Sequence, residues 1–273
     1  MRKQGKEKIM YKSLEEIIKT EIQTGKPFWK IVQEDDCRET GTSEEESFEK
    51  MRCMYQAMKD ADAQYDGTLK SASGLVGTDG EKIRKARENG TLFCGAFVGK
   101  IMEKALKTSE SNACMKRIVA APTAGSCGVV PAVFLTLQEE KGFSEEQMVK
   151  ALYVAAGIGG VIASRAFLAG AAGGCQAEIG SASAMAAGGV AYLMGGNAKQ
   201  ISHAGALALK NLLGLACDPV AGLVEVPCVK RNVMGAVNAM TSADMVMAGI
   251  ESRIPPDEVI DAMRAIGRSM NED

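Results

Sequence analysis

Ser144-Glu145-Glu146-Gln147, followed by Val154-Ala155-Ala156-Gly157-Ile158-Gly159-Gly160-Val161-Ile162-Ala163-Ser164, decides the fold class. A serine with a glutamine three residues on is a capping box, whose two side chains satisfy free N–H groups where a helix begins. From Val154 to Gly174 the chain is almost wholly Ala, Gly, Ile, Val and Leu, interrupted by Arg165. Small residues let helix backbones approach closely, so this run reads as a buried helix at the centre of a tightly packed bundle. The charge of Arg165 within the run speaks against a membrane span.

The same signals recur on either side. Ser13-Leu14-Glu15-Glu16 and Ser43-Glu44-Glu45-Glu46 are capping boxes. Each opens an amphipathic stretch: Leu14, Ile17 and Ile18, then Phe48, Met51, Met54, Tyr55 and Met58. These predict two peripheral helices, with the methionines as core filling. Helices are also predicted over Thr91 to Ser109, from Pro131, from Asn197-Ala198-Lys199-Gln200 to a stop at Gly214, and from Pro256. Tyr65 to Gly80 reads as turns, with Asp66-Gly67 and Asp79-Gly80. No run alternates apolar and polar residues. The expectation is an all-α, bundle-like protein with few or no strands: one domain over residues 10–273 behind a disordered extension, residues 1–9.

The chain has 273 residues, enough for a substantial core. Lys and Arg number 32 against 34 Asp and Glu, interspersed, which gives no footprint for nucleic acid or an acidic membrane surface. The basic start, Met1 to Lys8, is not followed by an apolar segment and is no secretory signal. Eight cysteines without such a signal point to a reducing cytoplasm and not to a disulfide framework.

Cys175 lies in Gly173-Gly174-Cys175-Gln176-Ala177-Glu178-Ile179-Gly180. Cys217 and Cys228 bracket Cys217-Asp218-Pro219-Val220-Ala221-Gly222-Leu223-Val224-Glu225-Val226-Pro227-Cys228. Three thiolates on turn-rich segments can hold an iron–sulfur cluster and leave one iron without a protein ligand. Such an iron is a Lewis acid for a substrate oxygen. Without a C-x-x-C pair, the spacing alone fits buried structural thiols better than ligands. Gly-Gly, Asp-Pro and Pro beside these cysteines favour ligation, because a continuous helix fixes its side chains along one stripe. The second motif runs from Ala120-Ala121-Pro122-Thr123-Ala124-Gly125 to Ser126-Cys127-Gly128-Val129-Val130-Pro131. Its hydroxyls and its N–H groups ahead of a helix suit a substrate carboxylate. An ordinary Pro/Gly turn fits the same residues, and no Walker Gly-Lys-Ser/Thr follows.

With Lys70-Ser71-Ala72-Ser73-Gly74-Leu75-Val76-Gly77, Leu213-Gly214-Leu215-Ala216-Cys217-Asp218-Pro219 and Val226-Pro227-Cys228-Val229-Lys230-Arg231-Asn232, these segments resemble, in order, the α chain of the iron–sulfur-dependent bacterial L-serine dehydratases. The resemblance covers about Met10 to the C-terminus. It implies a helical fold and a 4Fe-4S cluster on Cys175, Cys217 and Cys228, with the fourth iron open to L-serine. Cys37, Cys53, Cys94, Cys114 and Cys127 are then structural. It further implies elimination of water from L-serine, giving pyruvate and ammonia, in a cytoplasmic hetero-oligomer with a separate β subunit. Loop chemistry and resemblance together place substrate contacts at Ser73, Gly74, Thr123, Ala124, Gly125 and Ser126.

The catalytic base is not legible. His203, the one histidine, sits mid-helix beside apolar residues, and the family supplies a His-containing motif from its β chain. Two departures stand out. Asn211-Leu212 occupies the place of a His-Asn pair found in family members, and family chains continue beyond Met270 into a Gly-rich tail. A pyridoxal-phosphate dehydratase would need a Schiff-base lysine and an α/β pattern, and neither is present. A cluster-dependent eliminase for cysteine or threonine remains an alternative, as does a non-catalytic cysteine-rich metal or redox protein.

Overall fold

A computed structural model describes residues 11–270, so the extension expected over residues 1–9 lies outside the described residues. The helices are α1 (Leu14–Thr24), α2 (Phe28–Thr40), α3 (Glu44–Ala63), α4 (Asp79–Glu88), α5 (Gly95–Ala113) and α6 (Val129–Lys141). They continue with α7 (Glu145–Arg165), α8 (Gly170–Gly173), α9 (Ser181–Leu193), α10 (Ala198–Lys210), α11 (Cys228–Met247) and α12 (Pro256–Ser269). Among the described residues there is no strand, as the missing alternation predicts.

The capping residues open the helices they were expected to open. At Ser43, Ser144 and Asn197 the side chain accepts from the N–H three residues on, and that residue's side chain accepts in return. At Ser13 only half the box forms: its hydroxyl accepts from the Glu16 N–H, whereas the Glu16 carboxylate turns to the Lys12 N–H. The Asp257 carboxylate accepts from the N–H groups of Leu14 and Glu15 and so joins α1 to α12.

The core is wrapped around α9, which packs against α6, α7, α10 and α11. Eleven of its thirteen residues are buried, which is why no polar face announces it in the sequence. A Cβ at Gly188 would overlap the Ile158 side chain on α7, and one at Gly189 would overlap the Phe134 ring on α6. The glycines here are contact points. Helix α7 is apolar and long enough to cross a membrane, but 67% of its apolar window is buried inside the protein.

Two local expectations need correction. The apolar run is not one helix to Gly174. It stops at Arg165, whose guanidinium is drawn to Asp261 on α12 and to the Lys12 carbonyl. Ala166 is already extended, at φ −139° and ψ −144°. Helix α10 ends at Lys210, four residues before Gly214, which instead turns the following loop at φ 83°.

Candidate functional site

The 120–128 loop is held open by an asparagine from α11. The Asn232 carboxamide accepts from the Gly128 N–H at 2.9 Å and donates to the Gly125 carbonyl at 2.8 Å. It also donates to the Cys228 carbonyl at 2.9 Å, and its side chain is buried. Asn112 holds the Ala124 carbonyl at 3.2 Å. Inside the loop, the Thr123 and Ser126 hydroxyls lie 3.1 Å apart, with Ser126 buried. Cys127 faces away from the loop, its thiol against the Thr108 carbonyl, and burial pushes it up to about 12.

Cys175 enters a single π turn, Gln176–Gly180, that runs directly into α9. Gly174 before it has φ 76°, and a Cβ there would sit 2.8 Å from the Leu215 carbonyl. Close approach at that point lets the Gln176 N–H donate to the Leu215 carbonyl at 2.9 Å. The Gln176 side chain accepts from the Gly214 N–H and donates to the Met263 carbonyl. The turn bearing Cys175 is thus laced to the segment bearing Cys217.

Arg231, three residues after Cys228, completes the assembly. It donates to the Ala216 carbonyl at 3.1 Å and to both oxygens of the Asp218 carboxylate through its terminal nitrogens, and its charge acts on the Cys175 thiol. One guanidinium, on the helix that Cys228 opens, thus binds the Cys217 segment and lowers Cys175. Burial pushes the Cys175 thiol up to about 11, partly offset by Arg231, and the charges of Cys228 and Glu178 raise it further. Burial, then Glu178, raises Cys217. Burial, then Glu178 and Cys217, raises Cys228.

This donor set fits an iron–sulfur cluster. Cys175 precedes the π turn, Cys217 lies on a loop and Cys228 opens α11, and burial raises all three thiols; iron would supply the positive charge that favours their deprotonated form. Among the described residues, no three His, Cys, Asp or Glu side chains close in tightly enough for a single metal ion. A cluster holds its ligands apart by its own width.

The Ser73-Gly74 turn joins the site from the side of the 217–228 loop. The Ser71 and Ser73 hydroxyls both donate to Glu225, and Gly74 adopts φ 76°. Behind the turn, Val76 packs with Leu106 and Val229 in a small second core. Ser73 is thus engaged with Glu225, while the Thr123-to-Ser126 loop is tied to α11 through Asn232.

Glu178 was passed over in the sequence, although it lies in the motif quoted for Cys175. Its carboxylate borders both Gly125 and Gly170, and its charge acts on all three thiols. Asn232 and Arg231 were likewise visible only as motif letters. His203 lies on α10, buried beside the Ser252 backbone, and burial lowers its basicity. Ser252 follows the far end of α11, the helix that Cys228 opens.

A family model described as serine dehydratase alpha chain matches residues 23–273. The chain belongs to that family. Within it, the chain is 48% identical over 231 residues to the probable L-serine dehydratase, alpha chain, of Bacillus subtilis (strain 168), covering 85% of this chain and 77% of that one. It is 40% identical over 265 residues to the L-serine dehydratase, alpha chain, of Peptoniphilus asaccharolyticus, covering 96% and 90%. A third relative, L-serine dehydratase TdcG of Escherichia coli (strain K12), is 42% identical over 170 residues, 62% of this chain but 37% of the relative.

Proposed function

We propose that this chain is the cluster-bearing α subunit of an L-serine ammonia-lyase, which removes water from L-serine to yield pyruvate and ammonia in an amino-acid catabolic step. The observation that carries the reading is that the Cys175, Cys217 and Cys228 segments are tied together through Gln176 and Arg231, beside a loop whose N–H and hydroxyl groups suit a carboxylate. The names of the relatives agree with it. Eight free thiols suit a reducing cytoplasm.

Cys175, Cys217 and Cys228 would hold a 4Fe-4S cluster with one iron free of protein ligands. The chemistry such a cluster supplies when bound is Lewis-acid activation of a hydroxyl as a leaving group. The chain's own residues bind and orient. Thr123, Ala124, Gly125 and Ser126 offer N–H and hydroxyl groups to the substrate carboxylate, and Asn232 keeps that loop open. The Ser73-Gly74 turn closes the side next to Glu225.

Removal of the α-proton needs a base. Helix α11 has 20 residues, so Cys228 and the region near Ser252 and His203 stand about 30 Å apart along it. A separate β chain supplying the base agrees with two facts: relatives are called alpha chains, and most of the longer relative lies outside the matched stretch.

The test is pyruvate formation from L-serine by the chain after anaerobic reconstitution with iron and sulfide, with and without the β chain, beside Cys217→Ala. Activity that needs iron, sulfide and partner, and is lost in the variant, supports the reading. Turnover of cysteine or threonine in place of serine would replace it with the related eliminase.

A further inference from the structure

Glu178 is the one carboxylate whose charge reaches all three candidate ligand thiols. It is half-buried, and among the described residues no N–H or O–H group hydrogen-bonds its side chain, nor does any cation pair with it. Carboxylates at other junctions of this molecule are satisfied: Glu110 by Tyr65 and two N–H groups, Glu225 by two serines. A half-buried carboxylate that no protein donor occupies, beside thiols that become anionic on ligation, is free to receive a positively charged partner.

Two glycines from distant segments keep space around it. A Cβ at Gly125 would lie 2.7 Å from the Glu178 Oε2, and one at Gly170 would lie 2.9 Å from it and 3.5 Å from the Cys217 Sγ. The cleft on that side, about 610 Å³, is lined by Gly170, Gly174, Ala216 and Cys217. Gly125 also belongs to the loop whose N–H and hydroxyl groups suit a carboxylate. An anion site and a bare carboxylate therefore share a wall one residue thick.

We propose that Glu178 receives the α-ammonium group of the substrate; the assignment rests on the L-serine reading. In an α-amino acid the carboxylate and the ammonium are bonded to the same carbon, so their sites must adjoin. The Gly125 loop and Glu178 adjoin in that manner. With both ends held, the side-chain hydroxyl is left to face the thiols. Gly125 and Gly170 lack side chains because a methyl group at either would occupy the ammonium's place. Recognition then depends on the amine, and a hydroxy acid of the same skeleton is discriminated against.

The test uses the reconstituted α chain with its β partner and the variant Glu178→Gln. Iron and sulfide per chain are measured first, then KM and kcat for L-serine, and the dissociation constant of 3-hydroxypropanoate, the serine skeleton without its amine, by calorimetry. Losing a charge-assisted contact should raise the serine KM by about tenfold or more, with iron content unchanged and 3-hydroxypropanoate bound as well as before or better. An unchanged KM, or equal weakening of both ligands, overturns the assignment. Should the variant load less iron, Glu178→Asp, which keeps the charge but withdraws it by one carbon, must give the same selective loss of serine, and equal loss of both ligands there overturns the assignment too. Absence of pyruvate from the wild-type complex sinks the L-serine reading itself. Pyruvate from the wild type with an unaltered KM in Glu178→Gln sinks only the role of Glu178.

Discussion

The side chain of Asn232 donates a hydrogen bond of 2.8 Å to the Gly125 carbonyl while the same carboxamide accepts from Gly128. One residue of α11 thus sets the width of the 120–128 loop and ties it to the carbonyl of Cys228. Asn232→Ala strands two buried backbone groups, the Gly128 N–H and the Gly125 carbonyl. It should lower stability by about 1–3 kcal/mol and raise the serine KM, measured by urea unfolding and steady-state kinetics. Unfolding that is shifted with KM unmoved would confine Asn232 to the fold.

Close packing at α9 gives a prediction independent of chemistry. Gly188→Ala pushes a methyl group into Ile158 and should cost about 1–3 kcal/mol. Adding Ile158→Val should recover part of that loss, because the two positions contact each other and their effects will not add. Thermal unfolding of both single variants and the double variant checks this.

The three thiols should load iron in a pH-dependent way. Burial raises Cys175, Cys217 and Cys228, so the deprotonated form that ligates is scarce near neutrality and grows as pH rises. Iron per chain after anaerobic reconstitution should increase between about pH 7 and pH 9. In Arg231→Gln the Cys175 thiol loses the neighbouring positive charge that lowers it, and the curve should move to higher pH. A flat profile would count against thiols buried as described.

His203 sets a second pH effect, of opposite concern. Burial lowers its folded value below the ordinary 6.5, and among the described residues its Nδ1 has no hydrogen-bond partner. The unfolded chain then binds the proton more readily than the folded one, so stability falls as pH drops through the unfolded value towards the folded one. The urea midpoint should decrease between about pH 7 and pH 5.5, and His203→Asn should flatten that slope. An equally steep slope in the variant would assign the effect to other groups.

What could be read from the sequence was what is local. Ser43, Ser144 and Asn197 each carry a complete start signal within four residues, and each opens a helix. Helices α2 and α11 start after Pro27 and Pro227 with no side-chain cap, and α9 is apolar all round, so none of the three announced itself. The stop at Arg165 depends on Asp261, ninety-six positions away. The same division holds at the site. The cysteines and the Thr123-to-Ser126 loop stand out by residue type and turn context. Glu178 gains meaning only when Gly125 and Gly170 are folded against it.

The three cysteines are not equivalent in how they are mounted. Cys175 is buried and heads a turn continuous with α9, whereas Cys217 is exposed on a loop running through Val220, Leu223 and Val224 at the surface. Oxidants arriving from solvent therefore reach the Cys217 thiol, while the Cys175 thiol stays shielded.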